Sequence, residues 1–494
     1  MAYRRILRGT VMIGGSSVFN VLSGMVRSKV IAVLLGPAGI GLVGLYQSLI
    51  STLGVIGGLG AGGVGARQIA EARANDSLRD LAAAREILFR TTLIQAAASA
   101  LAVWLLRKQI ASSFLGSEGQ SAVVGWLALG VALTICAGAQ GAFLQGMGRV
   151  RETAILSALS SLFYTFVAVG IALTWKLKGV VLLALAGPAL TFVVGGWYIS
   201  RSRMPRQPWL QLRELVQGWG ALLKTGMAFM LVGAVGTALQ LFLRIWVTRS
   251  LGESALGYFQ AAATLGGTYL GFVLASMGTD YYPRLCEASG DHAQTNRLAS
   301  QQTEVAMLIG TPAILFMLGG APWLVQLLYS DKFIPAVAML RWQLLGDTLK
   351  LASWPLSFLI LATGDGRNFL MSEILGPAVV AIATVLLISN WGLSAVGFAY
   401  FLSYLIYLPT IYWLVARKTG FWWEANVLKI IGLSFGAASV VQISSSLNQL
   451  AGAFTGITMG VLSTIYSARS IGRIMGVSVS PRDLALRIFA ALKT

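Results

Sequence analysis

The sequence predicts an all-α polytopic membrane protein, and three observations carry that expectation. First, 56% of the 494 residues are apolar and only 11% are charged, whereas soluble chains carry about twice that charged share. Second, apolar stretches of about 20 residues, the length that spans a bilayer core, recur along the chain. Third, the Lys and Arg residues gather in alternate connections. The net charge of +19 follows from this positive-inside pattern and needs no nucleic acid.

Fourteen spans are expected, at roughly 10–35, 41–66, 88–106, 122–146, 153–175, 179–200, 222–248, 255–280, 305–329, 334–363, 368–390, 393–416, 427–447 and 450–468. Residues 1–8 lack a cleavable signal pattern, so the first span is retained. The second contains the run ILGVIGGLGAGGVGA, in which Gly54, Gly58 and Gly62 are spaced for close helix packing. Ser444, Ser445 and Ser446 interrupt the thirteenth. Basic residues such as Arg67, Arg73, Arg149, Arg151, Arg367, Arg417 and Lys418 mark one side of the membrane. The opposite connections hold few: Arg107, Lys108, Lys176, Lys178, Arg249 and Lys332. Both termini are therefore expected in the cytoplasm.

An internal repeat appears at an offset of 216 residues. Leu35-Gly36 matches Leu251-Gly252, Gly41 matches Gly257, and Glu71-Ala72 matches Glu287-Ala288. Gly146-Met147-Gly148-Arg149 is matched to Gly364-Asp365-Gly366-Arg367 at a shift of 218. Six spans per copy give both halves one orientation, so two six-helix lobes related by a pseudo-two-fold along the membrane normal are expected. The division is an N-lobe at 1–203, a basic cytoplasmic linker at 204–221 and a C-lobe at 222–418. Spans 13 and 14 and a basic tail follow at 419–494.

Ionisable groups at membrane depth are costly and mark function. Span 1 carries Ser16, Asn20, Ser23 and Arg27 on one helical face, and span 7 carries Thr237, Gln240, Arg244 and Thr248 on another. Arg27 and Arg244 sit at similar depth in the two repeats, and a planar guanidinium suits phosphate oxygens. Lys29 points away from Arg27, towards the interface. Span 10 carries Arg341, Asp347 and Lys350, and Gln343, Asp347, Lys350 and Trp354 share a face expected to line a wet cavity. Asp347 and Lys350 either neutralise each other or take part in coupling, with Glu373 of span 11 as a second coupling candidate. Asp280 and Arg284 form an i, i+4 pair that serves as a gate or as an ordinary helix-end pair.

Enzyme signatures are missing: the sequence has no Walker loop, dinucleotide fingerprint or zinc motif. His292 sits in the polar run SGDHAQTN, and Cys136 and Cys286 imply neither a disulfide framework nor a metal site.

The chain resembles the Wzx-type flippases, polysaccharide transporters of the multidrug/oligosaccharidyl-lipid/polysaccharide (MOP) exporter superfamily, over about residues 5–416. The resemblance rests on LLGPAGIGLVGLYQS at 34–48, YYPRL at 281–285, LLYSDKF at 327–333 and RWQLLGDTLKLASWP at 341–355. The last is the most specific and is similar to the enterobacterial common antigen and O-antigen branch. Spans 13 and 14 exceed that branch's usual twelve, and lipid II flippases are similar in having fourteen.

The resemblance implies a substrate: an undecaprenyl-diphosphate-linked oligosaccharide moved from the cytoplasmic to the periplasmic leaflet of a bacterial inner membrane, for O-antigen-type lipopolysaccharide. It also implies lobes that rock around a cationic cavity, with Arg27, Arg244, Arg341 and Lys350 as basic positions. No cofactor is implied beyond a coupling cation or proton, with Asp347 and Glu373 as its candidates. Expected partners are the lipid-linked glycan, membrane lipids, a polysaccharide polymerase and a chain-length regulator. A multidrug exporter of the same superfamily, a membrane-embedded glycosyl ligase or polymerase, and a purely structural assembly subunit stay open as alternatives.

Overall fold

A computed structural model describes residues 2–75, 77–201, 212–288 and 290–474. Among these residues the chain is helical throughout, with no strand. The first half comprises α1 (Ala2–Gly57), α2 (Ala61–Ala74), α3 (Leu78–Leu105), the single turn α4 (Arg107–Ile110), α5 (Ser121–Gly146), α6 (Val150–Trp175) and α7 (Val180–Arg201). It continues with α8 (Leu212–Leu251), α9 (Glu253–Glu287), α10 (His292–Gly319), α11 (Ala321–Leu328) and α12 (Ala336–Ala362). The last four are α13 (Gly366–Trp391), α14 (Ser394–Thr419), α15 (Ala425–Leu447) and α16 (Gln449–Ile474).

Ten segments of described residues are long and apolar enough to cross a membrane. Arg151–Arg201 contains two expected spans and Val18–Gly57 covers most of two others, and α8 and α9 occupy the ranges of spans seven and eight. The protein is a multi-pass, all-α membrane protein. Boundaries differ from expectation where glycine chemistry intervenes. The second span ends at Gly57, because Leu59 and Gly60 take positive φ and start α2 as a separate helix. The ninth is longer on its polar side, since Asp291 caps α10 by accepting from the amides of Ala293 and Gln294. Exposed His292 is the first residue of that helix. The serine run does not break α15, which continues to Leu447; Ser446 Oγ donates to the Ile443 carbonyl at 2.7 Å, a local bond that a helix accommodates.

Backbone geometry supports the internal repeat better than side-chain identity does. Gly36 breaks α1 with φ 67°, ψ −171°, a region open to glycine, and Pro37 restarts the helix without an amide donor. Its equivalent 216 residues on, Gly252, has φ 87° between α8 and α9. The α5–α6 turn turns on Gly148 (φ 62°) and the α12–α13 turn on Gly364 (φ 75°), again 216 apart. The alignment of GMGR with GDGR at 218 is therefore corrected, and one gapless offset serves throughout. A third pair joins Lys176 (φ 46°, ψ −133°) to Gly392 (φ 55°, ψ −137°). At the second turn Asp365 caps α13, and Lys418 Nζ donates to its Oδ2 at 2.7 Å, holding the carboxyl at about 2.

The chain divides into two compact units, residues 1–260 with 328–330, and 261–327 with 331–494. The division falls inside α9, so α8 packs in the first unit although it begins the second repeat. Of the expected linker, residues 212–221 are the start of α8, while 204–211 and the tail beyond 474 lie outside the described residues. The side chains of Ser16 and Lys224 lie outside them too. In the second unit α16 packs on α10 backbone to backbone: a Cβ on Gly319 would meet the Gly452 carbonyl and the Gly456 Cα at 2.7 Å.

Lys176 holds a backbone conformation that its repeat equivalent fills with glycine, which costs an L-residue about 1 kcal/mol. Lys176→Gly is expected to raise the midpoint of thermal unfolding in detergent. A fall in stability would show that the turn is not the strained counterpart of Gly392.

Candidate functional site

In the first unit, a polar cavity of ≈ 200 Å³ opens between the second half of α1, α8 and the first turns of α9. Its walls are Gly44, Gln47, Ser48, Ser51, Thr52, Thr237, Gln240, Arg244 and Gln260. The glycine leaves room; the rest are amides, hydroxyls and one guanidinium. Among the described residues no carboxylate lines it. Three of the four residues in the expected α8 stripe line this cavity. Arg244 is half-buried: Nη1 donates to the Gln240 carbonyl at 3.4 Å and Nη2 to Gln260 Oε1 at 3.3 Å. Both bonds are long, and the buried Nε has no partner. A buried donor that no protein acceptor satisfies costs a few kcal/mol, so this Nε is suited to bind an anion.

Arg27 connects to the same cavity through one intermediary. Its guanidinium lies 4.3 Å from the centroid of the Tyr164 ring, a cation–π contact. The Tyr164 hydroxyl accepts from Gln47 Nε2 at 2.9 Å and donates to the Leu183 carbonyl at 3.0 Å. Gln47 is thus shared between the Arg27 cluster and the cavity that holds Arg244. The rest of the α1 stripe is a zipper against α6. Asn20 Nδ2 donates to Ser157 Oγ at 2.8 Å, the Ser23 and Thr165 hydroxyls lie 2.8 Å apart, and Arg27 Nη1 donates to Thr165 Oγ1 at 3.3 Å. Ser157, Ser161 and Thr165 recur every four residues on α6, a stripe that sequence reading could have paired with the one on α1. Lys29 is half-buried on α1.

The second unit holds a different polar network. Asp347 is 1% exposed. Its Oδ1 accepts from the Tyr400 hydroxyl at 2.7 Å, and Lys350 Nζ donates to the same hydroxyl at 3.4 Å. The two charges are linked through α14 instead of touching. Lys350 lies 5.8 Å from the Tyr404 ring, Tyr404 packs on Tyr407, and the Tyr407 hydroxyl donates to Glu373 Oε1 at 3.3 Å. Asp347, Lys350 and Glu373, contributed by α12 and α13, are therefore joined by a tyrosine ladder at positions 400, 404 and 407 of α14. That spacing, in YFLSYLIYLPT at 400–410, sets the three phenols on one helical face. The Asp347 Oδ2 atom is buried with no partner.

Two residues of the polar face of α12, Gln343 and Trp354, pack against glycines of α9. A Cβ on Gly266 of α9 would overlap Gln343, and one on Gly278 would meet Trp354 at 3.3 Å. Arg341 is 9% exposed and donates through Nη1 to the Ser445 carbonyl at 3.1 Å. A cation on the last turn of α15 complements the helix dipole, so the structure gives Arg341 a tether to the C-terminal hairpin. Arg284 Nη1 and Asp280 Oδ2 pair at 3.1 Å with exposed side chains, an i, i+4 bridge on α9.

Solved structures share this helical fold. The lipid II flippase MurJ in an inward closed conformation matches with a TM-score of 0.73 at 11% identity, covering 95% of this chain and 99% of that one. An inward-facing multidrug resistance MATE family transporter of the MOP superfamily matches with a TM-score of 0.69 at 15% identity, covering 83% and 98%. Likeness at this identity concerns the fold. The chain itself belongs to the polysaccharide biosynthesis protein family, whose sequence model matches residues 30–338. It is 24% identical over 417 residues to the lipid III flippases of Escherichia coli (strain K12) and Shigella flexneri, covering 81% of this chain and 96% of each relative.

The tether separates two roles for Arg341. Arg341→Ala leaves a helix-end carbonyl unpaired and is expected to lower stability by about 1–3 kcal/mol, read as an earlier thermal unfolding transition. Unchanged stability with loss of transport would return Arg341 to the substrate.

Proposed function

We propose that the protein is a transporter, a flippase that moves an undecaprenyl-diphosphate-linked oligosaccharide from the cytoplasmic to the periplasmic leaflet of a bacterial inner membrane, supplying O-antigen-type surface polysaccharide. Both termini lie in the cytoplasm, and two six-helix lobes alternate access around the site. One observation carries the reading: an acid-free polar cavity in which Arg244 keeps a buried, unpartnered Nε, joined through Gln47 and Tyr164 to Arg27. Two permanently charged forks suit the two phosphates of a diphosphate. The amides and hydroxyls around them suit phosphate oxygens and sugar hydroxyls. The lipid III flippase relatives and the family support the class of substrate; the basic connections support the orientation. Polymerase and chain-length regulator act on the product after it crosses. Lys29 and Lys350 are secondary: Lys29 attracts the head group towards the outer end of its path, and Lys350 belongs to coupling.

Coupling is assigned to the tyrosine-linked acids of the second unit. A proton or small cation taken up at the unpartnered Asp347 Oδ2 alters the Tyr400–Lys350 bridge and, through Tyr404 and Tyr407, the surroundings of Glu373. Asp280 and Arg284, an exposed pair, contribute little to gating.

A multidrug exporter draws on the MATE fold likeness. The cavity argues against cationic drugs, because its single charge is positive and no carboxylate offsets it.

Translocation of lipid-linked repeat units in proteoliposomes tests the site. Arg244→Ala and Arg27→Ala are each expected to slow transport about tenfold or more, as for loss of a hydrogen-bonded charge contact. The lysine variants should recover part of the rate. Full activity in both alanine variants, with membrane insertion confirmed, would remove the diphosphate site. Asp347→Asn is expected to flatten the pH dependence of transport, and an unaltered pH profile would exclude Asp347 from coupling.

A further inference from the structure

The helices that build the cavity also cross at one end of it. A Cβ on Gly41 of α1 would lie 2.7 Å from the Glu253 carbonyl and 2.8 Å from Gly257 N, and one on Gly257 would overlap the Pro37 carbonyl. Glu253 is the repeat equivalent of Pro37, and Gly257 that of Gly41. The contact is reciprocal, each copy touching the other through the same pair of positions, as two surfaces do across a two-fold. Only glycine at both positions allows the backbones this close. Other contacts collect at the same end: Gly39 packs on Leu177, and Arg249 Nη2 donates to the Ser113 carbonyl. The scarcity of basic residues in these connections assigns this end to the outside.

The cavity begins one turn further in. Gly44 and Gln260 follow Gly41 and Gly257 by three residues and are themselves repeat equivalents. Gln260 is seated against Gly44, where a Cβ would meet its Oε1 at 2.7 Å, and that same oxygen accepts from Arg244 Nη2 at 3.3 Å. One carboxamide therefore packs α9 onto α1 beside the glycine crossing and contacts the guanidinium of the anion site.

We propose that the Gly41–Gly257 crossing is the barrier closing the outer end of the arginine cavity, and that Gln260 is the positioning residue through which Arg244 holds it shut. An anion that takes the Arg244 donors competes with Gln260 Oε1 and loosens α9 from α1, so occupancy and opening are linked at one hydrogen bond. The competition rests on reading the cavity as an anion site. The barrier rests on the glycine crossing alone.

Thiol labelling tests both parts without any lipid-linked substrate. In a chain carrying Cys136→Ser and Cys286→Ser, Ser48→Cys places one thiol in the cavity wall. A membrane-impermeant maleimide is then added to the outside of right-side-out vesicles. Gln260→Ala is expected to speed labelling about tenfold, the worth of one hydrogen bond to a charged group. Gln260→Glu pairs its carboxylate with Arg244 more strongly and is expected to label no faster than the parent. Gln260→Met keeps the volume and removes the acceptor, and is expected to label as fast as the alanine variant. A side chain that mattered only for packing would label at the parent rate as methionine, and that result, or no change with alanine, overturns the role of Gln260. Gly257→Ala places a methyl where the Pro37 carbonyl stands and is expected to label fastest. Parent-rate labelling by the inserted variant overturns the barrier. If Gly257→Ala fails to insert, Arg249→Ala removes only the tie to Ser113, and a rate equal to the parent's counts against the barrier in the same way. Normal flipping by Arg244→Ala together with fast labelling of Gly257→Ala would remove the proposed function and leave the barrier standing.

Discussion

A permanently charged side chain inside a membrane has to be given partners, and how Arg244 is partnered organises the first unit. Two long hydrogen bonds, donated to a carbonyl on its own helix and to Gln260 Oε1, hold the guanidinium in place without neutralising it. Nε is left buried and unused. Most intramembrane cations are matched by carboxylates or escape to the interface. This one faces a cavity built from amides and hydroxyls, so its charge is kept available. The glycines at 41, 44 and 257 serve the same end, because they bring α1 and α9 close enough for short polar side chains to enclose the space.

The second unit answers the same constraint differently. Asp347 and Lys350 could have met directly three residues apart on one helix. The Tyr400 hydroxyl stands between them, and two further tyrosines lead to Glu373. Charges joined through hydroxyls can exchange partners with small side-chain movements, which suits a part that changes state. One unit keeps an unneutralised cation in a cavity, the other a buried acid linked through a movable bridge.

The helical class, the span order and the repeat were legible because a bilayer imposes a length and a polarity on every span. The three positive-φ pairs at an offset of 216 show why the repeat was only partly readable: Lys176 and Gly392 share a backbone conformation but no chemistry. Arg27 and Arg244 were legible because charge within an apolar run stands out by itself. Gln47, Tyr164, Gln260 and the α14 tyrosines were not, since amides and phenols occur in many spans and gain meaning only from the helix they face. The tether of Arg341 was illegible for the same reason. The residue's depth was apparent, but its partner, the Ser445 carbonyl, lies 104 residues away on a hairpin outside the repeat.

The most direct measurement is a cryo-electron microscopy structure in nanodiscs with an undecaprenyl-diphosphate oligosaccharide bound. Phosphate density hydrogen-bonded to Arg244 Nε, with Gln47 and Arg27 on the neighbouring oxygens, is the predicted result. A diphosphate seated in the second unit against Lys350, with the Arg244 cavity holding only water, would contradict it.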